Sequence, residues 1–99
     1  LAAAYKNLGN ALQAGGKIDE AIRAYTKAVE IDPQFAEAYA NLGSMLGMQG
    51  QMEKAIPYFQ KAIAIKPSIG AVHWNLGNAL NKIKRVEEAI ACWQKAAEC

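Results

Sequence analysis

Residues 5–33 read YKNLGNALQAGGKIDEAIRAYTKAVEIDP, and shifting that stretch by 34 residues lays it over a second unit and then over a third. Leu8, Leu42 and Leu76 fall in register, as do Gly9, Gly43 and Gly77, then Ala21, Ala55 and Ala89, then Ile22, Ile56 and Ile90. Lys27, Lys61 and Lys95 match further along, and so do Ala28, Ala62 and Ala96. Pro33 and Pro67 close the first two units, and the third stops before its proline. A fixed period of this size marks a repeat architecture, in which one unit cannot bury both of its faces and stacked neighbours build the continuous core.

Within each unit, apolar residues recur at three- and four-residue steps on both sides of a central break, so each unit reads as two helices. In the first, Tyr5, Leu8 and Leu12 form one stripe, and Ile18, Ala21, Ile22, Tyr25, Ala28 and Val29 form the other. The break is Gly15-Gly16, where glycine adopts the left-handed conformation that ends a helix without a side-chain clash. Asp19 and Glu20 put negative charge in the first turn of the second helix, where it suits the helix dipole. The proline after each second helix cannot continue it. The spacing predicts helices over 2–14, 18–31, 35–48, 52–65, 69–82 and 86–98.

Gly9, Gly43 and Gly77 lie mid-helix, where glycine costs about 1 kcal/mol relative to alanine, so a glycine repeated there implies a close helix crossing. The partner expected across it is the small residue of the second helix, Ala21, Ala55 or Ala89, with Tyr25, Phe59 and Trp93 filling the adjoining gap.

The pattern Tyr5-x-x-Leu8-Gly9-x-x-Leu12, followed by Ala21, Tyr25, Ala28 and Pro33 and repeated twice more, resembles the tetratricopeptide repeat (TPR) family over essentially the whole chain. The resemblance implies an all-α, right-handed superhelical solenoid of three antiparallel helix pairs. One domain over 1–99 is expected, with repeats at about 2–35, 36–69 and 70–99 and without a C-terminal capping helix. Three positions depart from the pattern. His73 replaces the first-helix aromatic, Lys84 replaces the glycine between helices, and Pro57 sits early in the second helix of the middle unit.

The resemblance also implies that the first helix of each unit lines a concave surface that holds an extended peptide. The residues expected to bind it are Lys6, Asn7, Asn10, Asn41, Ser44, Trp74, Asn75 and Asn78. Asn7, Asn41 and Asn75 place the same amide at the same repeat position. A row of amides can hydrogen-bond successive peptide groups without reading their side chains. The row is similar to the asparagine ladder in the repeat arms of O-linked N-acetylglucosamine transferases and in kinesin light chains; the alternative reading is that asparagine is the family consensus there and only helps the inner helices pack. Asn10, Ser44 and Asn78 form a second polar row. Trp74 either anchors a ligand side chain, as tryptophan does at interface hot spots, or packs on a neighbouring helix. Chaperone-binding members of the family clamp a C-terminal carboxylate with basic residues. Lys6, Asn10 and Asn41 match three of the clamp positions, but Ala71 and Asn75 stand where the remaining cations belong, so most charge-assisted contacts are missing.

Composition narrows the function further. The chain is 53% hydrophobic and 20% charged, a globular balance, and no run reaches the roughly 18 apolar residues of a membrane span. A net charge of +2 from scattered residues excludes the concentrated basic face of a nucleic-acid binder. Cys92 and Cys99 are separated by about 10 Å of helix, too far for a disulfide, and lack the close pairing of a zinc site. They read as reduced thiols of a cytoplasmic protein. No phosphate-cradling loop, nucleophile elbow or acid/base pair is present, and the acidic residues Asp19, Glu20, Glu53, Glu87 and Glu88 all open second helices. No enzyme activity, metal or cofactor is expected.

The chain opens on Leu1 and stops at Cys99 inside a helical pattern, which reads as a piece of a longer protein. Its last unit leaves Val86, Ile90, Trp93 and Cys99 on an open face, and such a patch favours end-to-end stacking of molecules. Three readings therefore stand: a scaffold binding a partner polypeptide in its groove, a self-associating module joined through terminal helices, and the substrate-recruiting arm of a larger enzyme such as a glycosyltransferase.

Overall fold

The computed structural model describes residues 1–99 as six helices and no strands: α1 Ala2–Ala14, α2 Ile18–Ile31, α3 Ala36–Met48, α4 Met52–Ile65, α5 Gly70–Lys82 and α6 Val86–Glu98. Two helices start one residue later than the spacing predicts, because Phe35 and Ile69 are the flanking residues that precede α3 and α5. The helices stack in chain order as a solenoid of three pairs, with principal extents of 37 × 25 × 19 Å.

The turn inside each pair closes in the same way three times. Lys17 N–H reaches Leu12 O at 2.8 Å, Gln51 N–H reaches Leu46 O at 2.9 Å, and Arg85 N–H reaches Leu80 O at 2.9 Å. This six-to-one bond requires the preceding residue to be left-handed. Gly16 and Gly50 meet the requirement at φ of 78° and 79°, and Lys84 is forced to φ of 70° by the same geometry. Pro57 lies inside α4, which runs unbroken through it.

The mid-helix glycines face aromatic rings rather than the small residues expected across them. A Cβ on Gly9 would lie 2.6 Å from Tyr25 Cε1, one on Gly43 2.7 Å from Phe59 Cε1, and one on Gly77 2.5 Å from Trp93 Nε1. Ala21, Ala55 and Ala89 are fully buried, but the space above each glycine is taken by the flat ring one turn further on. A ring lying against bare backbone buries more apolar area than a methyl group, so the aromatic and not the alanine explains the glycine.

Stacking buries the repeated leucine only where a pair has a predecessor. Leu42 is 2% exposed, whereas Leu8 at the same repeat position in α1 is 49% exposed. At the other end Ile56 is 5% exposed and its counterpart Ile90 45% exposed. Two apolar clusters result. One joins Ala21, Tyr25, Leu42 and Met45, and the larger joins α4, α5 and α6 around Phe59, Leu76 and Leu80.

Candidate functional site

The first helices α1, α3 and α5 carry three charged residues in all, Lys6, Glu37 and Lys82, and most of their polar residues border two adjoining pockets that share Ser44 and Asn75. The first pocket, of about 310 Å³, lies among all three helices and is bordered by Lys6, Asn10, Glu37 and Asn41. The second, of about 280 Å³, is apolar. Met48, Met52, Phe59 and Ala79 line it, with Asn78 and Lys82 alongside.

Six of the residues singled out in the sequence, Lys6, Asn10, Asn41, Ser44, Asn75 and Asn78, thus border these pockets. Asn7 is exposed on α1 and borders neither. Trp74 occupies the repeat position of Lys6 and Ala40, both of which line the polar pocket, but lies outside it. Its ring is 54% exposed and packs on Trp93 with centroids 6.1 Å apart at 41°. Met48 falls on the groove face that the sequence predicts for α3, but the apolar lining from Met52 and Phe59 was missing from the sequence expectation. Met52 and Phe59 belong to α4, a second helix, and a rule that assigns the groove to first helices passes over them.

The second polar row has a structural reason. Tyr25 Oη–H donates to Asn10 Oδ1 at 2.6 Å, and Trp93 Nε1–H donates to Asn78 Oδ1 at 3.1 Å. An indole nitrogen is a donor only, which fixes the amide so that Nδ2 is the group left over. In the middle unit the ring is Phe59, which has nothing to donate, and the row carries Ser44 instead of an amide. Between units, Asn41 Nδ2–H donates to Asn10 Oδ1 at 3.4 Å, so the two rows touch.

The charges are largely spent within the groove. Lys6 Nζ lies 3.5 Å from Glu37 Oε2 and 5.6 Å from the centroid of the Phe35 ring. An exposed pair of this kind contributes little stability, but it cancels the positive charge that a ligand carboxylate would seek. Lys82 has no carboxylate partner. Nowhere does the chain gather three His, Cys, Asp or Glu side chains in a way that could hold a metal ion. No helix is long and apolar enough to cross a membrane.

Comparison with known proteins agrees with this architecture. The chain superposes on the crystal structure of MamA with a TM-score of 0.94 at 32% identity, covering 98% of this chain and 57% of that one. It superposes on the first TPR of Spaghetti (RPAP3) bound to the HSP90 peptide SRMEEVD with a TM-score of 0.96 at 28% identity, covering 98% of this chain and 77% of that one. The second TPR of the same protein, at 24% identity and a TM-score of 0.95, shares the fold. No curated protein matches the chain. Sequence profiles described as TPR repeat or tetratricopeptide repeat match residues 9–50, 36–69 and 71–98. With three such profiles spanning the helix pairs seen in the fold, the chain belongs to the tetratricopeptide repeat family.

Proposed function

We propose that the groove formed by α1, α3 and α5 holds an extended segment of a partner protein, which makes the chain a non-catalytic interaction scaffold. The observation that carries this reading is the pair of adjoining pockets, one polar and one apolar, that share Ser44 and Asn75. Asn41 and Asn75 come from successive first helices and offer donors and acceptors suited to peptide groups. Asn10 and Asn78, whose oxygens are taken by Tyr25 and Trp93, offer their Nδ2 hydrogens to a ligand carbonyl. An apolar side chain then enters over Phe59 and the two methionines, whose unbranched chains adapt to what arrives.

The peptide held by the first Spaghetti TPR supports this use of the fold. Its chemistry does not carry over unchanged, because Lys6 is paired with Glu37 and neither Ala71 nor Asn75 is a cation. A ligand read through its backbone and one apolar side chain is favoured over one read through terminal carboxylates. The test begins with peptides selected from a random displayed library against the chain, followed by titration calorimetry. Replacing Asn41 and Asn75 together by alanine is expected to weaken a selected peptide about tenfold, Asn7→Ala is expected to change it little, and unchanged affinity in the double variant ends the proposal. The two free thiols fit a reducing, cytoplasmic setting for this activity.

The end faces favour a second reading. Leu8 on α1 occupies the repeat position of Leu42 and Leu76, which pack on the preceding pair, and Ile90 on α6 occupies that of Ile56, which packs on the following one. The two faces are therefore shaped to meet, and the proposed occupant is a second copy that extends the stack head to tail. Sedimentation under reducing conditions is expected to give a mass that rises with concentration, and Ile90→Glu to abolish the rise. A mass fixed at 10.7 kDa throughout rejects this reading and leaves the groove untouched.

A further inference from the structure

The middle and third units differ at one place in a way the groove does not use. In the middle unit Tyr39 on α3 and Tyr58 on α4 stack with centroids 6.5 Å apart and ring planes at 27°, and Lys61 Nζ lies 5.9 Å from the Tyr39 ring centroid. Tyr58 packs against the cluster of Ala21, Tyr25, Leu42 and Met45. One repeat on, the same positions are His73, Cys92 and Lys95. Both rings have been exchanged for smaller groups, and an open cavity of about 350 Å³ lies at the surface between α4, α5 and α6, lined mainly by Ile63, His73, Leu76, Ala91, Cys92 and Lys95.

This cavity is separate from the groove. On α5 it is bordered by His73 and Leu76, which the 100° step of an α-helix puts on the side away from Asn75, Asn78 and Lys82. His73 cannot swing in to fill it, because it is buried and its Nε2–H donates to Pro67 O at 2.8 Å.

We propose that the cavity is a docking site for one aromatic side chain, tyrosine or phenylalanine, presented by a partner polypeptide. The middle unit is the template for the occupant. A ring entering here would sit where Tyr58 sits one repeat earlier, against Leu76 in place of Leu42 and beside Ile63. Lys95 stands at the repeat position of Lys61 and supplies the same cation to the face of the incoming ring. The complementarity is electrostatic as well as steric, since Lys95 has no aromatic face in the unoccupied site and only the exposed Glu98 carboxylate, 3.9 Å away, as a partner.

The probe is 4-methylphenol, the tyrosine side chain itself, titrated while the methyl resonances of Ile63, Leu76 and Ala91 are followed by NMR. Saturable shifts confined to these residues are expected, unaltered in Cys92→Ser and lost in Cys92→Tyr, where the chain fills its own cavity as the middle unit does. Lys95→Ala should weaken binding about two- to fivefold. Absent or diffuse shifts, or equal shifts in Cys92→Tyr, overturn the proposal. Thiol labelling in a Cys99→Ser background gives a check that needs no substitution inside the cavity. The probe should slow the labelling of Cys92, and an unchanged rate also counts against the site. The blocked tripeptide Gly-Tyr-Gly should reproduce the 4-methylphenol shifts. If the free phenol binds and the tripeptide does not, the cavity takes a free aromatic molecule and the docking assignment fails.

Discussion

Trp93 donates its indole N–H to Asn78 Oδ1 at 3.1 Å, while the ring itself lies where any side chain on Gly77 would have to be. One residue of α5 receives the polar edge of the ring and its neighbour makes room for the apolar face. Removing the acceptor leaves a half-buried donor unpaired, which costs roughly 1 kcal/mol or somewhat more. Asn78→Ala should lower the thermal midpoint by several degrees, whereas Ser44→Ala, beside a phenylalanine with nothing to donate, should change it little. Equal losses in the two variants would show that the hydrogen bond is not the source.

Gly43→Ala should destabilise the chain although alanine is the better helix former. Its Cβ would lie 2.7 Å from Phe59 Cε1, and Phe59 is only 3% exposed. Overpacking of this kind costs about 1 to 3 kcal/mol, against a propensity gain of about 1 kcal/mol. Chemical denaturation measures the net loss, and Gly43→Ala combined with Phe59→Leu should recover part of it. No recovery in the double variant would mean that the ring is not the obstacle.

Lys84→Gly should stabilise the third unit by about 1 kcal/mol. The turn demands a left-handed residue, and the substitution removes the steric penalty that Lys84 pays at φ of 70°. The wider freedom of glycine in the unfolded chain offsets part of this gain. A lower denaturation midpoint in the variant would contradict the account.

Much of this was legible in the sequence, because a period of 34 residues fixes the helix pairs and the turn that joins them. The left-handed Lys84 follows from its alignment with Gly16 and Gly50. What the repeat could not convey is which atoms meet across a pair. Glycine was expected to face alanine, since both are small, yet a ring seeks flat backbone and took that place. The groove was legible as a row of amides. Its apolar pocket was not, because Met52 and Phe59 reach it from a helix whose own stripe reads as core. The Lys6–Glu37 pair was hidden for a similar reason, as the partners lie on successive first helices and their approach depends on how the units stack.

Alkaline pH should weaken the fold before it weakens the backbone. Burial raises the Tyr25 phenol above its ordinary value, and burial together with the nearby Glu88 carboxylate raises the Cys92 thiol. In both cases the folded chain holds the proton more tightly than the unfolded one. The stabilisation is therefore whole below the unfolded values, about 8.5 for cysteine and about 10 for tyrosine, and is lost as pH climbs through the raised folded values. The denaturant midpoint should fall between pH 8 and pH 11 (roughly the span of those values), and fall less in Cys92→Ser. A midpoint that rises over this interval would refute the assignment.

Between the first and second helix pairs, three polar side-chain contacts cross: Lys6 to Glu37, Asn41 to Asn10, and Gln49 to Asp19 at 2.6 Å. Between the second and third pairs no polar side-chain contact crosses: His73 binds Pro67 O in the linker that leads into its own helix, and the joint itself is apolar stacking. The two joints should therefore respond to different stresses. Salt loosens the first, where opposite charges meet in water, and leaves the second nearly indifferent, because apolar surfaces have no charge to screen. Exposed polar contacts add little against tension, and the larger buried apolar cluster lies across the second joint. Pulled from its ends, the molecule should part between Ile31 and Ala36 first, because the larger apolar cluster lies across the other joint, yielding one independent pair and one doublet instead of fraying evenly.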